Sequence, residues 1–169
     1  MLARIDFSTL TLMDALDLAS LIEVEAFERY MLFAAQLGQR DPSDAGSVFR
    51  SMANNEKKHG EQLAKRRQRL FGDVPATVTL DDLFDVEAPD VGSPRWDMSP
   101  RKAFEVALAA EQKAFAFYDQ ALPGVKEREV KALFEELRDE EVEHIHMVEA
   151  IIAELPPEAA TDLEDIDAA

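Results

Sequence analysis

A glutamate and a histidine, Glu56 and His59, interrupt the apolar face of one predicted helix three residues apart. The remaining members of that face are apolar: Phe49, Met52, Leu63 and Leu70. Side chains at positions i and i+3 of a helix lie on one face, so both polar groups point towards the core. Because a carboxylate buried without a partner costs several kcal/mol or takes up a proton, the fold must compensate this pair.

The same pair recurs later in the chain at Glu141 and His144, again within an apolar stripe. Two further predicted helices each carry an inward glutamate seven residues before a tyrosine: Glu23 with Tyr30, and Glu111 with Tyr118. One helical bundle would therefore bring four carboxylates and two imidazoles together. A pair of metal ions is the simplest compensation for that much buried polarity.

Composition favours a single helical domain and excludes several kinds of site. The chain has 169 residues, of which 47% are hydrophobic and only 6 are glycine, which suits a helical domain with a substantial core. The formal net charge of −17 argues against binding to nucleic acid or to anionic membranes. The absence of cysteine excludes disulfides, zinc–thiolate sites, iron–sulfur clusters and a rubredoxin-type iron site within this chain.

Neither a membrane span nor a signal peptide is predicted. No segment has the roughly 18 consecutive apolar residues that a membrane span requires. Residues 1–6 lack the basic start and the apolar core of a signal peptide. We therefore expect a soluble, cytoplasmic protein.

Apolar residues at helical spacing predict four long helices, at about 12–37, 44–71, 101–122 and 125–155. Pro123 and Gly124 predict a tight turn between the third and fourth helices. The expected fold class is therefore all-α.

Several residues predict where the helices begin and end. Ser8 or Thr9 is the expected N-cap of the first helix, and Gly38 is its expected end. Ser99 is the expected N-cap of the third helix, with Pro100 as the first helical residue.

The segment 72–98 breaks the helical pattern, although 80–84 is long enough for one helical turn. A connection of this length requires a reason in a compact domain. If it crosses the length of the bundle, the second and third helices run parallel, and each half is an antiparallel hairpin. The alternative, a linker between two domains, is disfavoured because neither half alone could bury its charged stripe. We expect one domain at 1–155 and an acidic, disordered tail at 156–169.

The second predicted helix ends in a basic segment, Lys65-Arg66-Arg67-Gln68-Arg69. Cations near a helix C-terminus complement the helix dipole and solvate the surface. We prefer this interpretation to a binding patch.

The two halves of the chain repeat one arrangement, in which a glutamate and a tyrosine precede Glu-x-x-His. A pseudo-two-fold bundle would gather these residues at mid-height, with Glu56 and Glu141 bridging two metal ions. The remaining ligands would complete one coordination sphere each: Glu23 with His59, and Glu111 with His144. Hard carboxylate oxygens combined with two imidazoles suit iron, with manganese as the alternative.

Tyr30 and Tyr118 each stand two helical turns from a predicted ligand. Their hydroxyl groups could hydrogen-bond the ligand carboxylates and so orient them. Open coordination positions on the metals would accept dioxygen or hydrogen peroxide. The alternative interpretation of both tyrosines is that they are plain core aromatics.

These motifs resemble those of the ferritin-like superfamily and, within it, the rubrerythrin family. Both halves match, and the layout of the match covers roughly residues 12–155. The resemblance implies a ferritin-like four-helix bundle with a non-haem di-iron centre that oxidises ferrous iron or reduces peroxide. It also implies a homodimer.

Two departures from the family pattern bear on function. Rubrerythrins usually carry a second glutamate three residues after the third-helix ligand, where this chain has Ala114. That difference leaves a ligand set closer to that of bacterioferritins and puts redox-linked ligand switching in doubt. Typical rubrerythrins also carry a rubredoxin module with cysteine ligands. Since this chain has none, its peroxidase turnover would need an external electron donor.

Other acidic and histidine residues have a simpler interpretation. Glu140 and Glu143 lie off the stripe of Glu141 and are expected on a solvated face, and His146 is expected to be exposed. Two alternatives to an oxidoreductase stay open. One is an iron-binding or iron-storage-related protein with little turnover, and the other is an interaction scaffold that binds metal incidentally.

Overall fold

The structure, a computed structural model, describes residues 5–38, 45–79 and 99–157. Four helices account for most of them: α1 Leu12–Gly38, α2 Ala45–Phe71, α3 Pro100–Ala121 and α4 Arg128–Glu154. No strand occurs in these three ranges. The predicted all-α class and the four predicted helices are confirmed.

Helix α1 begins with a reciprocal cap between Thr11 and Asp14. The Asp14 amide donates to Thr11 Oγ1 at 3.2 Å, and the Thr11 amide donates to Asp14 Oδ2 at 3.3 Å. This is a capping box, which satisfies two amides at the helix start. The predicted caps Ser8 and Thr9 are wrong, because both bond back to Asp6 in a turn that precedes the helix.

The start of α3 and the end of α1 are as predicted. The Lys102 amide donates to Ser99 Oγ at 3.1 Å, and Pro100 is the first helical residue. Helix α1 ends at Gly38.

Helix α4 begins at Arg128, three residues later than predicted. The predicted turn is a 3₁₀ turn, Leu122–Gly124, and Val125 after it has an extended backbone. Val125 is only 8% exposed, because the extended backbone turns its side chain into the core before the helix starts.

Two arginines fix the direction of the helices within each hairpin. Arg67, near the end of α2, donates through Nε and Nη2 to both carboxylate oxygens of Asp17, near the start of α1, at 2.8 and 3.2 Å. Arg101, near the start of α3, donates to three carbonyl oxygens at the end of α4: Ile152, Leu155 and Pro156. Each hairpin is therefore antiparallel, as predicted.

Arg67 and Leu70 depart from their predicted environments. Arg67 also donates to the carbonyl oxygens of Gly72 and Val74, so it closes the end of α2. Its side chain is only 11% exposed, whereas Lys65 and Arg69 are exposed. The solvated interpretation of the basic segment is therefore wrong at Arg67. Leu70, expected on the inward stripe, is 48% exposed, although Phe71 beside it packs against the core.

The core consists of two apolar clusters along the bundle. One contains the start of α1 and the first part of α4, for example Leu16, Leu133 and Phe134. The other contains the starts of α2 and α3, where the rings of Phe49 and Phe104 stack at a centroid distance of 4.3 Å. Because the starts of α2 and α3 lie at the same end, these helices run parallel, as the crossover interpretation predicted.

Some expectations lie outside the described residues or stay untested. The predicted turn at 80–84, most of the long connection and residues 158–169 of the tail are among them. The division into one domain and a disordered tail therefore stays a prediction. Within the described helices, none is long and apolar enough to cross a membrane.

Candidate metal centre

A layer of polar side chains separates the two apolar clusters. Each of the four helices contributes to it, and five of its members are at most 9% exposed: Glu23, Glu56, Glu111, Glu141 and His144. His59 lies beside them with 25% of its side chain exposed. The six predicted ligands therefore come together between the apolar clusters, where two groups can be distinguished.

The first group, the His144 cluster, consists of Glu56, Glu111, Glu141 and His144. From His144 Nδ1 the distance is 3.3 Å to Glu111 Oε2, and 3.5 Å to both Glu56 Oε1 and Glu141 Oε2. Ligand atoms of Glu56, Glu111 and His144 all lie within 4.8 Å of one another. Three carboxylates from three helices thus converge on one imidazole nitrogen.

The charge of these carboxylates dominates the electrostatics of the His144 cluster. Burial alone would lower the pKa of His144, but the carboxylates of Glu111, Glu141 and Glu56 outweigh it and raise that pKa to about 12. Burial also raises the pKa of Glu141 well above its usual range, and the charge of Glu111 adds to the effect. A buried cation is therefore strongly favoured at this position.

The second group, the His59 cluster, consists of Glu23, His59 and Glu140. His59 Nδ1 lies 3.9 Å from Glu23 Oε2 and 3.8 Å from Glu140 Oε2. Ligand atoms of the three residues lie within 4.8 Å of one another. The His59 cluster is less buried than the His144 cluster, since the side chains of His59 and Glu140 are 25% and 34% exposed.

Glu140 was expected on a solvated face, and that expectation is wrong in part. Burial raises the pKa of Glu140, and the neighbouring His59 lowers it again only in part. The sequence contains only a partial signal for this residue, because it does not show the contact with His59. Glu140 precedes His144 by four positions, so the two share a helix face as closely as Glu141 and His144 do at three positions.

The two tyrosines are fully inside the bundle. The hydroxyl of Tyr30 donates to Glu111 Oε1, which belongs to the opposite hairpin. Tyr30 is therefore a carboxylate-orienting residue in the present geometry, although its partner is Glu111 rather than Glu23 on its own helix. Tyr118 is completely buried, and its ring packs edge-on against Phe134 at a centroid distance of 5.3 Å.

Helices α1 and α2 lie close together at the level of Glu23. A Cβ atom added at Gly60 would lie 3.4 Å from the Cβ of Glu23, which is an ordinary van der Waals contact. The backbone of α2 therefore packs directly against the helix that carries Glu23.

The donors present fit a pair of divalent cations. Two buried atoms, His59 Nδ1 and Glu141 Oε2, have no hydrogen-bond partner among the described residues. Buried polar atoms normally have a partner, and here both face other ligand-type groups. Carboxylate oxygens with one imidazole per cluster are the donor set that iron and manganese accept. Glu143 and His146, predicted to lie off the site, are exposed.

A cleft leads to the His59 cluster from the surface between α2 and α4. Its volume is about 80 Å³, and its walls are formed by eight residues: His59, Gln62, Leu63, Arg66, Leu133, Glu136, Leu137 and Glu140. Such a volume holds a few water-sized molecules. Small molecules and ions can therefore reach the less buried cluster.

Comparisons with known proteins identify the family and the fold of the chain. The sequence model of the rubrerythrin family matches residues 14–152. The crystal structure of an uncharacterised conserved protein from Magnetospirillum magnetotacticum superposes with a TM-score of 0.74 at 28% identity, covering 90% of this chain and 100% of that one. A hypothetical protein from Pyrococcus furiosus, at 24% identity, shares the fold with a TM-score of 0.58 over 85% of this chain and 89% of its own.

One relative has a named activity. The mitochondrial NADPH-dependent 3-demethoxyubiquinone 3-hydroxylase of Dictyostelium discoideum is 27% identical over 131 residues, which are 75% of this chain. The matched region spans 59% of the hydroxylase, so a large part of that protein has no counterpart in the match.

Proposed function

The chain belongs to the rubrerythrin family, and we propose that it is a non-haem di-iron oxidoreductase that acts on ferrous iron with dioxygen or hydrogen peroxide. The observation that carries this proposal is the pair of carboxylate–histidine clusters in one buried layer. Apolar residues in this layer would stabilise the fold better than buried charges do, so the charges indicate a function.

We assign the ligands according to the two clusters. Glu23 and His59 would hold one ion, and Glu111 and His144 would hold the other. Glu56 and Glu141 would be shared between the two ions. The bridging role of Glu56 is supported by its position, since its carboxylate lies 3.5 Å from His144 Nδ1 and its charge also acts on Glu140 in the His59 cluster.

The charge of the site suits this assignment. The four carboxylates of the proposed ligand set would balance two divalent cations, which makes burial of the filled site tolerable. Two ferrous ions held there would supply the electrons that reduce dioxygen or hydrogen peroxide. The Tyr30 hydroxyl holds the Glu111 carboxylate in a fixed orientation, so that ligand need not reorganise when the charge of the site changes.

The size of the cleft favours a small oxidant over an organic substrate. The hydroxylase relative is named for a quinone substrate, and sites for organic ligands usually have volumes of about 300–1,000 Å³. The cleft beside the His59 cluster, at about 80 Å³, is far smaller. Since the chain has no cysteine, electrons for repeated turnover would come from an external donor.

We expect the protein to be a homodimer. Three large apolar side chains on α1 are 40% exposed or more: Val24, Met31 and Leu32. Exposed apolar groups that cluster on one helix are typical of contacts between subunits. Light scattering would distinguish a dimer from the many-subunit cage that iron storage requires.

Anaerobic titration of the metal-free protein with ferrous iron tests the proposal. We expect two ions per chain, and we expect the loaded protein to be oxidised by dioxygen or peroxide much faster than iron in buffer. Glu56→Ala should lose both ions, because a bridging ligand serves both. Glu143→Ala, which changes an exposed glutamate on α4, should keep both.

Two other results of the titration would each indicate a different function. Two tightly bound ions without accelerated oxidation would indicate an iron-binding protein with little turnover. No binding above background would overturn the metal centre, and a scaffold function would then be the better interpretation.

A further inference from the structure

Glu140 is the carboxylate that joins the buried metal centre to the surface. Its Oε2 atom lies 3.8 Å from His59 Nδ1, and it also forms part of the wall of the cleft between α2 and α4. Its side chain is 34% exposed, whereas that of Glu23, the other carboxylate of the His59 cluster, is 3% exposed. Glu140 can therefore contact both solvent in the cleft and an ion at His59.

The surroundings of Glu140 are unfavourable for a carboxylate without a cation. Among the described residues, its ion-pair contact within 4 Å is with the imidazole of His59. The charges of Glu136 and Glu56 both repel it, whereas those of His59 and His144 attract it, and burial adds to the repulsion so that its pKa is raised. A carboxylate kept half-buried among like charges indicates a binding role, because solvent exposure or an arginine partner would stabilise it better.

We propose that Glu140 is a third protein ligand of the cation at Glu23 and His59, and that divalent cations reach this position through the cleft between α2 and α4. This inference rests on the proposed function, since it concerns one of the two ions of that site. It adds a residue outside the six assigned ligands and gives the two ions different access to solvent.

The charges along the cleft are consistent with a route for cations. Glu136, Glu140 and Arg66 all line the cleft, so carboxylates outnumber the guanidinium there. Leu133 and Leu137 form an apolar wall that leaves few competing ligands. A cation that enters would meet the carboxylate of Glu136 or Glu140 before it meets the buried Glu23.

Equilibrium binding of Co²⁺ under anaerobic conditions tests the role of Glu140. The visible absorption of protein-bound Co²⁺ follows each ion as it binds, without any turnover. Glu140→Gln keeps the size of the side chain and removes its charge. We expect this variant to bind one of two Co²⁺ ions roughly ten- to a hundredfold more weakly and the other as in the wild type. Glu143→Gln, the same change at an exposed position of α4, should bind both normally.

The rate of Co²⁺ loading, followed by stopped flow, tests the route. Glu136→Lys inverts a charge on the cleft wall, and Glu135→Lys makes the same change at the adjacent exposed residue. We expect loading to be roughly tenfold slower in the first variant than in the second, because a like charge repels the incoming cation locally. Equal rates in the two variants would overturn the route.

The wild-type control separates this inference from the proposed function. If the wild-type protein binds no Co²⁺ and no Fe²⁺, the metal centre itself is wrong. If the wild type binds two ions and Glu140→Gln binds both with unchanged affinity, only the role of Glu140 is overturned. Lower thermal stability of Glu140→Gln with unchanged Co²⁺ affinity would likewise mean that Glu140 serves only as an ion-pair partner of His59.

Discussion

The imidazole rings of His59 and His144 lie parallel, with 5.5 Å between their centroids and an angle of 4° between their planes. Each ring presents its Nδ1 atom to carboxylates, at 3.3–3.5 Å for His144 and 3.8–3.9 Å for His59. The two Glu-x-x-His motifs on α2 and α4 therefore face each other across the bundle. The pairing is not symmetric, because 25% of the His59 side chain is exposed but only 11% of the His144 side chain.

This asymmetry predicts that the two histidines serve different ions. His144→Ala should weaken one of the two ions by roughly tenfold or more and leave the other less affected, and His59→Ala should do the reverse. A two-phase anaerobic titration with ferrous iron measures both affinities in each variant. The ion that His59→Ala affects should also be the one that a chelator removes first from the wild type, since its site opens to the cleft. Equal weakening of both ions in each variant would contradict the division into two clusters.

The hydroxyl of Tyr30 should matter for metal affinity separately from its ring. Tyr30→Phe keeps the ring that stacks on Phe49 at a centroid distance of 6.0 Å but removes the hydrogen bond to Glu111. We expect iron affinity to fall roughly tenfold, because the carboxylate loses the group that orients it. The free energy of unfolding of the metal-free protein should fall by about 1–3 kcal/mol, since a buried acceptor loses its donor.

Calorimetric titration and urea unfolding give the two quantities for Tyr30→Phe. Tyr30→Leu separates the two roles of the side chain, because it also removes the stacked ring. It should lower stability further without a further loss of iron affinity. Unchanged affinity in Tyr30→Phe would show that Glu111 keeps its orientation without this hydrogen bond.

Helical periodicity was sufficient to predict the bundle and the position of its polar layer. Glu23, Glu56, Glu111 and Glu141 each stand where a strict apolar stripe would have placed an apolar side chain, and all four are buried. The inference is strong because residues at helical spacing share one face, which is buried wherever the helix contacts the core. Leu70 shows the limit of this inference, since it belongs to the same stripe as Glu56 and is 48% exposed.

Glu140 could not be placed in the same way, because its environment depends on a second helix. It lies about 100° from Glu141 on α4, a position that periodicity assigns to the edge of the buried face. Glu140 becomes part of the site only because His59 lies on the neighbouring helix α2, with its Nδ1 atom 3.8 Å from Glu140 Oε2. Such cross-helix contacts follow from packing, which the pattern of one helix does not contain.

Competition between neighbouring residues that can cap a helix explains why the predicted N-cap of α1 is wrong. Ser8, Thr9 and Thr11 are all acceptable N-caps, and the choice depends on where the preceding turn places the chain. Ser8 and Thr9 both donate hydrogen bonds to Asp6, which leaves Thr11 to cap α1. The burial of Arg67 could not be predicted for a related reason, since its partner Asp17 is fifty residues away in the sequence.

The cap of α1 should show a defined pH dependence. Partial burial of Asp14 would raise its pKa, but hydrogen bonds from Thr11 and Thr77 outweigh burial and hold it below the ordinary value of 3.8. A carboxyl whose pKa is lowered on folding stabilises the folded protein above its unfolded pKa and loses that effect as the pH falls. The stability difference between wild type and Asp14→Asn should therefore be constant near neutral pH and shrink as the pH falls through and below 3.8.

Urea unfolding at several pH values measures this dependence. Thr11→Ala should cost about 1 kcal/mol at neutral pH, because it removes the cap of α1. Thr9→Ala should change stability by less than about 0.5 kcal/mol, since its hydroxyl bonds outside the helix. If Thr9→Ala lowered the free energy of unfolding more than Thr11→Ala does, Thr9 and not Thr11 would be the N-cap of α1.

We expect Arg101 to stabilise the contact between the start of α3 and the end of α4 more than any other single side chain does. Its guanidinium donates to the carbonyl oxygens of Ile152, Leu155 and Pro156 at 3.1, 2.6 and 2.9 Å. The last carbonyl groups of a helix lack the amides of a following turn, so a side-chain donor is favourable there. Arg101→Ala should lower the free energy of unfolding by about 2 kcal/mol, because several charge-assisted hydrogen bonds are lost together.

The substitutions at Arg101 have close controls in the same turn. Arg101→Lys should recover less than half of the loss, since an ammonium cannot reproduce the fixed fork of a guanidinium over three acceptors. Lys102→Ala should change stability by less than about 0.5 kcal/mol, because Lys102 is exposed and pairs with Glu105 at the surface. Iron affinity should be unchanged in Arg101→Ala, since the contact lies at the end of the bundle and the ligands lie at mid-height. A loss of iron with retained stability would show instead that the end of α4 controls the position of His144.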